Sequence, residues 1–355
     1  MKSIDPKILF NMLEGYKPFT NLLGIGDPNV HKIDNQWWMF FSGFQKNFKN
    51  NVFSATLPIG EPLNSEMKWT ITSDPNHSKK ALPLVQQPNK NEWDSYGLHE
   101  PCFVSGVKTN DRGQRVPCRR IYYTGRSTRS PLRNKRPFSI GFMELTTNGW
   151  ERYSRPIITG TEITPNVCAP KVIFSNGKWH MWYAMTPEEP PKKNKPRYEV
   201  YYTESEDGIN NWTNPKLFFT REDGFTHAYP LRTQKSYEMI VSRSGNLFGK
   251  SNYPQQNLWH LKASKLSGER TDWTREPIPI IEADKGDPWY QGGFFGSSIC
   301  EGDSIMETGI RYVFFSSIHK PINWFSISIT RVKTFKKPPV PAPFYFSLGF
   351  FRIDD

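Results

Sequence analysis

Gly26-Asp27-Pro28-Asn29-Val30, then a polar turn, then Trp37-Trp38-Met39-Phe40-Phe41-Ser42-Gly43 is the stretch on which the fold turns. An X-Pro step opens a short run, turn residues follow, and an aromatic run ends in Ser-Gly. Two such runs across a turn read as a β-hairpin. The pattern returns. Glu100-Pro101-Cys102-Phe103-Val104 leads to Ile121-Tyr122-Tyr123-Thr124-Gly125. Ala169-Pro170-Lys171-Val172-Ile173 leads through Asn176-Gly177, a strong hairpin turn, to Trp179-His180-Met181-Trp182-Tyr183-Ala184. Tyr229-Pro230-Leu231 leads to the run 237–242, and Gly296-Ser297-Ser298-Ile299-Cys300, without a proline, leads to 311–316.

Each unit continues with a third strand-like run, at 52–57, 138–145, 198–203, 258–263 and 325–332. Four units add a Trp at the start of a fourth run: Trp69, Trp150, Trp212 and Trp273. Five units of four strands predict an all-β, five-bladed β-propeller with four antiparallel strands per blade. It is read as one domain over 1–355, with blades near 22–72, 97–160, 165–220, 225–282 and 291–353. The recurring Trp reads as inter-blade packing. The fifth unit lacks its own outer strand. Residues 7–13 or 343–353 can complete it, and the aromatic-rich C-terminal run is the favoured choice.

Composition narrows the classes. Hydrophobic residues are only 36%, but aromatics are 15% with 12 Trp, which excludes simple disorder. Thirty Pro and 25 Gly are too many for an all-helical chain. No apolar run approaches the ~20 residues of a membrane span. The net charge of +12 favours an anionic partner. Nucleic acid is the weakest of these, since no recognised binding signature accompanies the charge. The basic runs 126–136, 190–197 and 333–337 read as solvated loops. Cys102, Cys118, Cys168 and Cys300 form no metal spacing and read as reduced thiols. The N-terminus has no signal-peptide pattern, so a cytoplasmic location is expected. No metal and no cofactor is expected. Oligomeric state is not legible.

In a propeller the innermost strand of each blade lines the channel. The X-Pro repeat therefore brings Asp27, Glu100, Ala169 and the Ala228-Tyr229 pair to one mouth. Two carboxylates from different blades suit glycosidic-bond chemistry. His227 is the nearest imidazole, able to donate a proton near neutral pH, and His99 precedes Glu100. Arg126, Arg243 and His319 follow the second strands of blades two, four and five. They are candidates for binding an anionic or phosphorylated sugar. Trp289 and Tyr290, in the loop entering blade five, offer faces for a sugar ring, and packing of the loop on the blade is an equal alternative.

The chain resembles the five-bladed propeller glycosidases of glycoside hydrolase families 43, 32, 68, 117 and 130. The residues that carry the resemblance are Gly26 to Val30 with Trp37 to Gly43, Glu100-Pro101 with Ile121 to Gly125, and Ser139-Ile140-Gly141-Phe142 followed by Trp150-Glu151-Arg152 and Pro156-Ile157-Ile158. The resemblance implies a glycosidase. In it Asp27 takes the place of a first-blade base or nucleophile, and Glu100 that of a second channel carboxylate. It also exposes a departure. The places of two further family-43 acids are held by Ala169 and Ala228. His227 or Glu100 is then left as the acid, and some family-117 members are thought to use a histidine. Two alternatives stay open: a phosphorylase or glycosyl-transferring enzyme with a basic pocket, as in family 130, and a non-catalytic glycan-binding propeller.

Overall fold

In the computed structural model, which describes residues 5–16, 18–128, 138–187, 198–234, 236–246, 253–302, 309–320 and 346–354, the strands form five antiparallel meanders of four. The first is Leu22–Ile33, Gln36–Gln45, Asn50–Thr56 and Thr70–Ile71. The second is Gly97–Thr109, Arg115–Arg126, Phe138–Thr146 and an outer strand split into Gly149–Arg152 and Ile158–Thr159. The third is Val167–Ser175, Lys178–Met185, Glu199–Ser205 and Lys216–Phe219. The fourth is Phe225–Arg232, Tyr237–Arg243, Leu258–Ala263 and Ile278–Ile281. The fifth is Gly293–Glu301, Arg311–Ile318, Ser347–Ile353 and Lys7–Phe10. The innermost strands touch one another in succession and the fifth touches the first, which closes the ring of a β-propeller. No helix among the described residues is long and apolar enough to cross a membrane.

Inter-blade packing follows the repeat. Trp69, Trp150, Trp212 and Trp273 each stand edge-on to a ring of the preceding blade: Phe314, Phe40, Tyr122 and Trp182, with centroids 5.8–6.5 Å apart. The four acceptor rings hold one register position on the second strands, opposite Ser298, Asn29, Cys102 and Lys171. Edge-to-face contact suits the ring quadrupoles, so one residue type at one position cements four junctions. All four cysteines are free thiols and buried.

Closure of the fifth blade differs from the sequence reading. The C-terminal run is the third strand, not the outer one: Ser347–Ile353 pairs with Arg311–Ile318. The outer strand is Lys7–Phe10, with Lys7 opposite Phe350 and Ile8 opposite Gly349. The run 325–332, expected as the third strand, lies outside the described residues, as do 190–197, 333–337 and most of 126–136. An N-terminal strand laid on the last blade covers an edge that would otherwise remain unpaired. The Met12 N–H reinforces it by donating to Ser347 Oγ (3.1 Å), and the Tyr16 hydroxyl by donating to the Phe346 carbonyl (2.6 Å).

Candidate active site

The X-Pro step makes a bulge. Gly26 pairs with Ser42 and Asn29 with Phe40, so Asp27 and Pro28 together face one residue. The same irregularity falls at Glu100-Pro101, Ala169-Pro170 and Gly296-Ser297. The first residue of each is left-handed: φ is 55° at Asp27, 55° at Glu100, 54° at Ala169 and 56° at Gly296. Such a φ costs a non-glycine residue about 1–3 kcal/mol and is held only where the surroundings enforce it. A bulge re-aims its side chain, and here it turns Asp27 and Glu100 into one pocket. Blade four breaks the pattern. Its irregularity lies between Phe225 and His227, and Tyr229 and Pro230 pair regularly. His227 consequently takes the register place of Gly26 and His99.

Asp27, Glu100, His99, His227 and Arg126 line a cavity of about 210 Å³, walled on its apolar side by Phe44, Phe138, Tyr198, Phe295 and Phe346. Glu100 lies between two imidazoles: His99 Nδ1 is 3.5 Å from Oε2 and His227 Nε2 is 3.5 Å from Oε1. These are ion-pair distances, longer than hydrogen bonds. Neither ring nitrogen of His227 has a hydrogen-bond partner among the described residues. The ring is 5% exposed, so it is a buried polar group held at the pocket wall.

A belt of hydroxyls fixes the carboxylates. The Asp27 N–H donates to Ser316 Oγ (2.8 Å), and the Glu100 N–H donates to Ser42 Oγ (2.7 Å). The Ala169 N–H donates to Thr124 Oγ1 and to Glu100 Oε2 (2.9 Å each). In turn the Ser42 hydroxyl donates to Asp27 Oδ2 (2.8 Å), and the Thr124 hydroxyl donates to Glu100 Oε2 (2.5 Å). In the sequence Ser42 and Thr124 stand within the repeat with nothing beside them to mark a role. Their signal was a hydroxyl recurring at the end of the second strands.

The electrostatics separate the two acids. Burial, then the charge of Glu100, pushes the Asp27 carboxyl above the usual range; His227, Lys171 and the Ser42 hydrogen bond only partly oppose this. Burial works to raise Glu100 as well, but His227, His99 and Thr124 outweigh it and hold its carboxyl below the ordinary range. Lys171 was not singled out in the sequence. It is 2% exposed on the third innermost strand and adds a buried positive charge near Asp27.

Of the other sequence candidates only Arg126 is among the residues that line the pocket. Arg126 is at the pocket wall, with its Nη2 held by the Phe48 carbonyl, Asn50 Oδ1 and the Tyr96 carbonyl (3.0–3.3 Å). Burial lowers its pKa to about 10. Tyr229 lies deeper in the channel, where its hydroxyl meets Asn29 Nδ2 and His31 Nε2 at 3.0 Å each. Arg243 is outside the pocket lining, bonded to the Asp223 and Gln255 carbonyls and stacked on Phe225 and Trp259. Trp289 packs on Tyr290 and Phe315. His319 is half-buried and does not line the pocket. Among the described residues no three His, Cys, Asp or Glu side chains gather as metal ligands.

No protein-family model matches the chain, and no curated protein matches it in sequence. Solved structures do. A glycoside hydrolase superposes with a TM-score of 0.61 at 11% identity, over 98% of this chain and 92% of its own. An α-L-arabinofuranosidase from Lactobacillus brevis gives 0.59 at 12% identity, over 94% and 92%. A thermostable family-43 glycoside hydrolase gives 0.56 at 14% identity, over 95% and 91%. At such identities the likeness is one of fold.

Proposed function

We propose that this β-propeller, which shares the fold of family-43 glycoside hydrolases, is itself a glycosidase-like enzyme that removes one terminal sugar. The observation that supports it is the pair Asp27 and Glu100, brought by two bulges into one pocket with their pKa values pushed apart. Opposed shifts in neighbouring carboxyls are how acid and base roles separate. Asp27, when ionised the more basic of the two carboxylates, is the base that takes a proton from the attacking water. Glu100 stays ionised and orients His227, which hands its proton to the leaving oxygen. The glycosidic C–O bond breaks, a C–O bond to the water oxygen forms, and the water's proton ends on Asp27. Arabinofuranosidases among the neighbours make a terminal pentose the first substrate to try. The proposal extends to sugars bearing a carboxylate or phosphate, for which Arg126 is the cation at the wall.

The test uses 4-nitrophenyl arabinofuranoside, xyloside and uronide beside the matching oligosaccharides. Asp27→Asn is expected to lower kcat/KM by about 10²–10⁴ on every substrate turned over. His227→Ala should lose as much on an oligosaccharide but far less on a nitrophenyl glycoside, whose leaving group departs without a proton. Equal losses on both would remove His227 as the acid. Preference for the uronide supports the anionic extension, and preference for the neutral sugars ends it. Failure of the wild type to turn over any substrate while still binding sugar would leave a glycan-binding propeller.

A further inference from the structure

We propose that Ser42 and Thr124 are positioning residues: each hydroxyl is locked by the main chain of the next blade so that its hydrogen points at the carboxylate of its own. The inference rests on the reading of Asp27 and Glu100 as the working acids. A hydroxyl has one hydrogen and two lone pairs. Ser42 Oγ accepts the Glu100 N–H, so its hydrogen is left for Asp27 Oδ2. Thr124 Oγ1 accepts the Ala169 N–H, so its hydrogen is left for Glu100 Oε2. The donating amides belong to left-handed bulge residues and cannot turn away without undoing the bulge. Orientation is therefore set by the backbone of the neighbouring blade, whatever the carboxylate does.

Two independent features agree. On the far side of Asp27 stands Gly296, where an added Cβ would fall 2.2 Å from Asp27 Oδ1. The carboxylate is thus gripped by a donor at one oxygen and by bare main chain at the other. The second feature is where the device appears around the ring. The equivalent second-strand positions are Ser42, Thr124, Ala184, Ser242 and Ser316. Where the bulge carries Asp or Glu, the same blade supplies a hydroxyl. Where it carries Ala169, the blade supplies Ala184. Two blades carry the hydroxyl without an acid: Ser316 of blade five, beside Gly296, accepts the Asp27 N–H, and Ser242 of blade four, beside Ala228, has its Oγ buried with no partner among the described residues, so the carboxylate contact and not the hydroxyl itself is what marks blades one and two. Ser42 also joins the Asp27 side chain to the Glu100 main chain across the junction of blades one and two.

The experiment compares Ser42→Ala with Ser42→Thr, and Thr124→Val with Thr124→Ser, in the full chain. The first readout needs no substrate: titration of the side-chain carboxyls by ¹³C NMR, with Asp27→Asn and Glu100→Gln giving the assignments. Ser42→Ala should move the Asp27 titration to higher pH, because a donor to the ionised form is lost. Thr124→Val should do the same to Glu100, and the hydroxyl-bearing replacements should restore both. The second readout is kinetic. Each deletion should lower kcat by about 10- to 100-fold, the size of a lost hydrogen bond to a charged group, with KM nearly unchanged. Titrations that stay in place while only the melting temperature falls would overturn the proposal and leave the hydroxyls as inter-blade fasteners. If the wild type hydrolyses nothing, the kinetic readout disappears with the function, but the titration still decides the role of the hydroxyls.

Discussion

Gly296 is where one atom matters most. Its φ of 56° is strained for any L side chain, and a Cβ there would collide with Asp27 Oδ1. Gly113 offers a control. It is also left-handed, at 73°, but a Cβ on it would meet nothing within 4 Å. Both Gly→Ala changes should cost about 1–2 kcal/mol of stability from the backbone. Only Gly296→Ala should also abolish turnover, by displacing Asp27; equal activity in the two variants would show that Asp27 has room to rotate. At this scale the sequence was partly legible. Asp27 and Glu100 could be picked out because X-Pro marks the bulge and the repeat marks the channel. The partners of Asp27 could not, because Ser42, Ser316, Lys171 and Gly296 come from four parts of the chain and meet only in the closed ring.

Strands were the most legible elements. Alternation of aromatic and β-branched runs with Gly, Asn and Asp turns located the three inner strands of the first four meanders, and the periodic Trp foretold the inter-blade contacts, although the outer strands of blades three and four begin at Lys216 and Ile278, past Trp212 and Trp273. The fifth blade was misread because aromatic content does not say which neighbour a strand will find. Ser347–Ile353 is buried along most of its length, as a third strand must be, whereas Lys7–Phe10 is half-exposed, as an outer strand can be. Deleting residues 1–13 would remove the outer strand and the buried Met12, which alone contributes roughly 1.5–3 kcal/mol. The expected outcome in a thermal melt is a fall of about 5–10 °C. Light scattering should show concentration-dependent association through the bared edge of Ser347–Ile353. A truncated chain that stays monomeric and melts where the full chain does would show that the ring closes without this strand.

At the scale of the whole molecule, the central channel makes stability depend on pH. Burial depresses His31, whose Nε2 meets the Tyr229 hydroxyl, to about 3. Between that value and about 6.5 the unfolded chain binds a proton that the folded chain refuses. Folding stability should therefore be complete above about pH 6.5 and decline as the pH falls through this window, by at most ~1.4 kcal/mol per pH unit from this one group. Denaturant melts of His31→Gln should show a shallower decline over that window; an unchanged slope would mean that His31 protonates inside the fold. The sequence by itself determined the fold class, the repeat and which blades carry acids, because strand periodicity and turn chemistry are local and were repeated five times. It did not determine how the ring closes, which carboxyl is the more basic, or what holds either in place. Those are properties of contacts between blades. Burial, the opposed charges around Glu100 and the hydroxyl handed from one blade to the next exist only once residues hundreds of positions apart stand side by side.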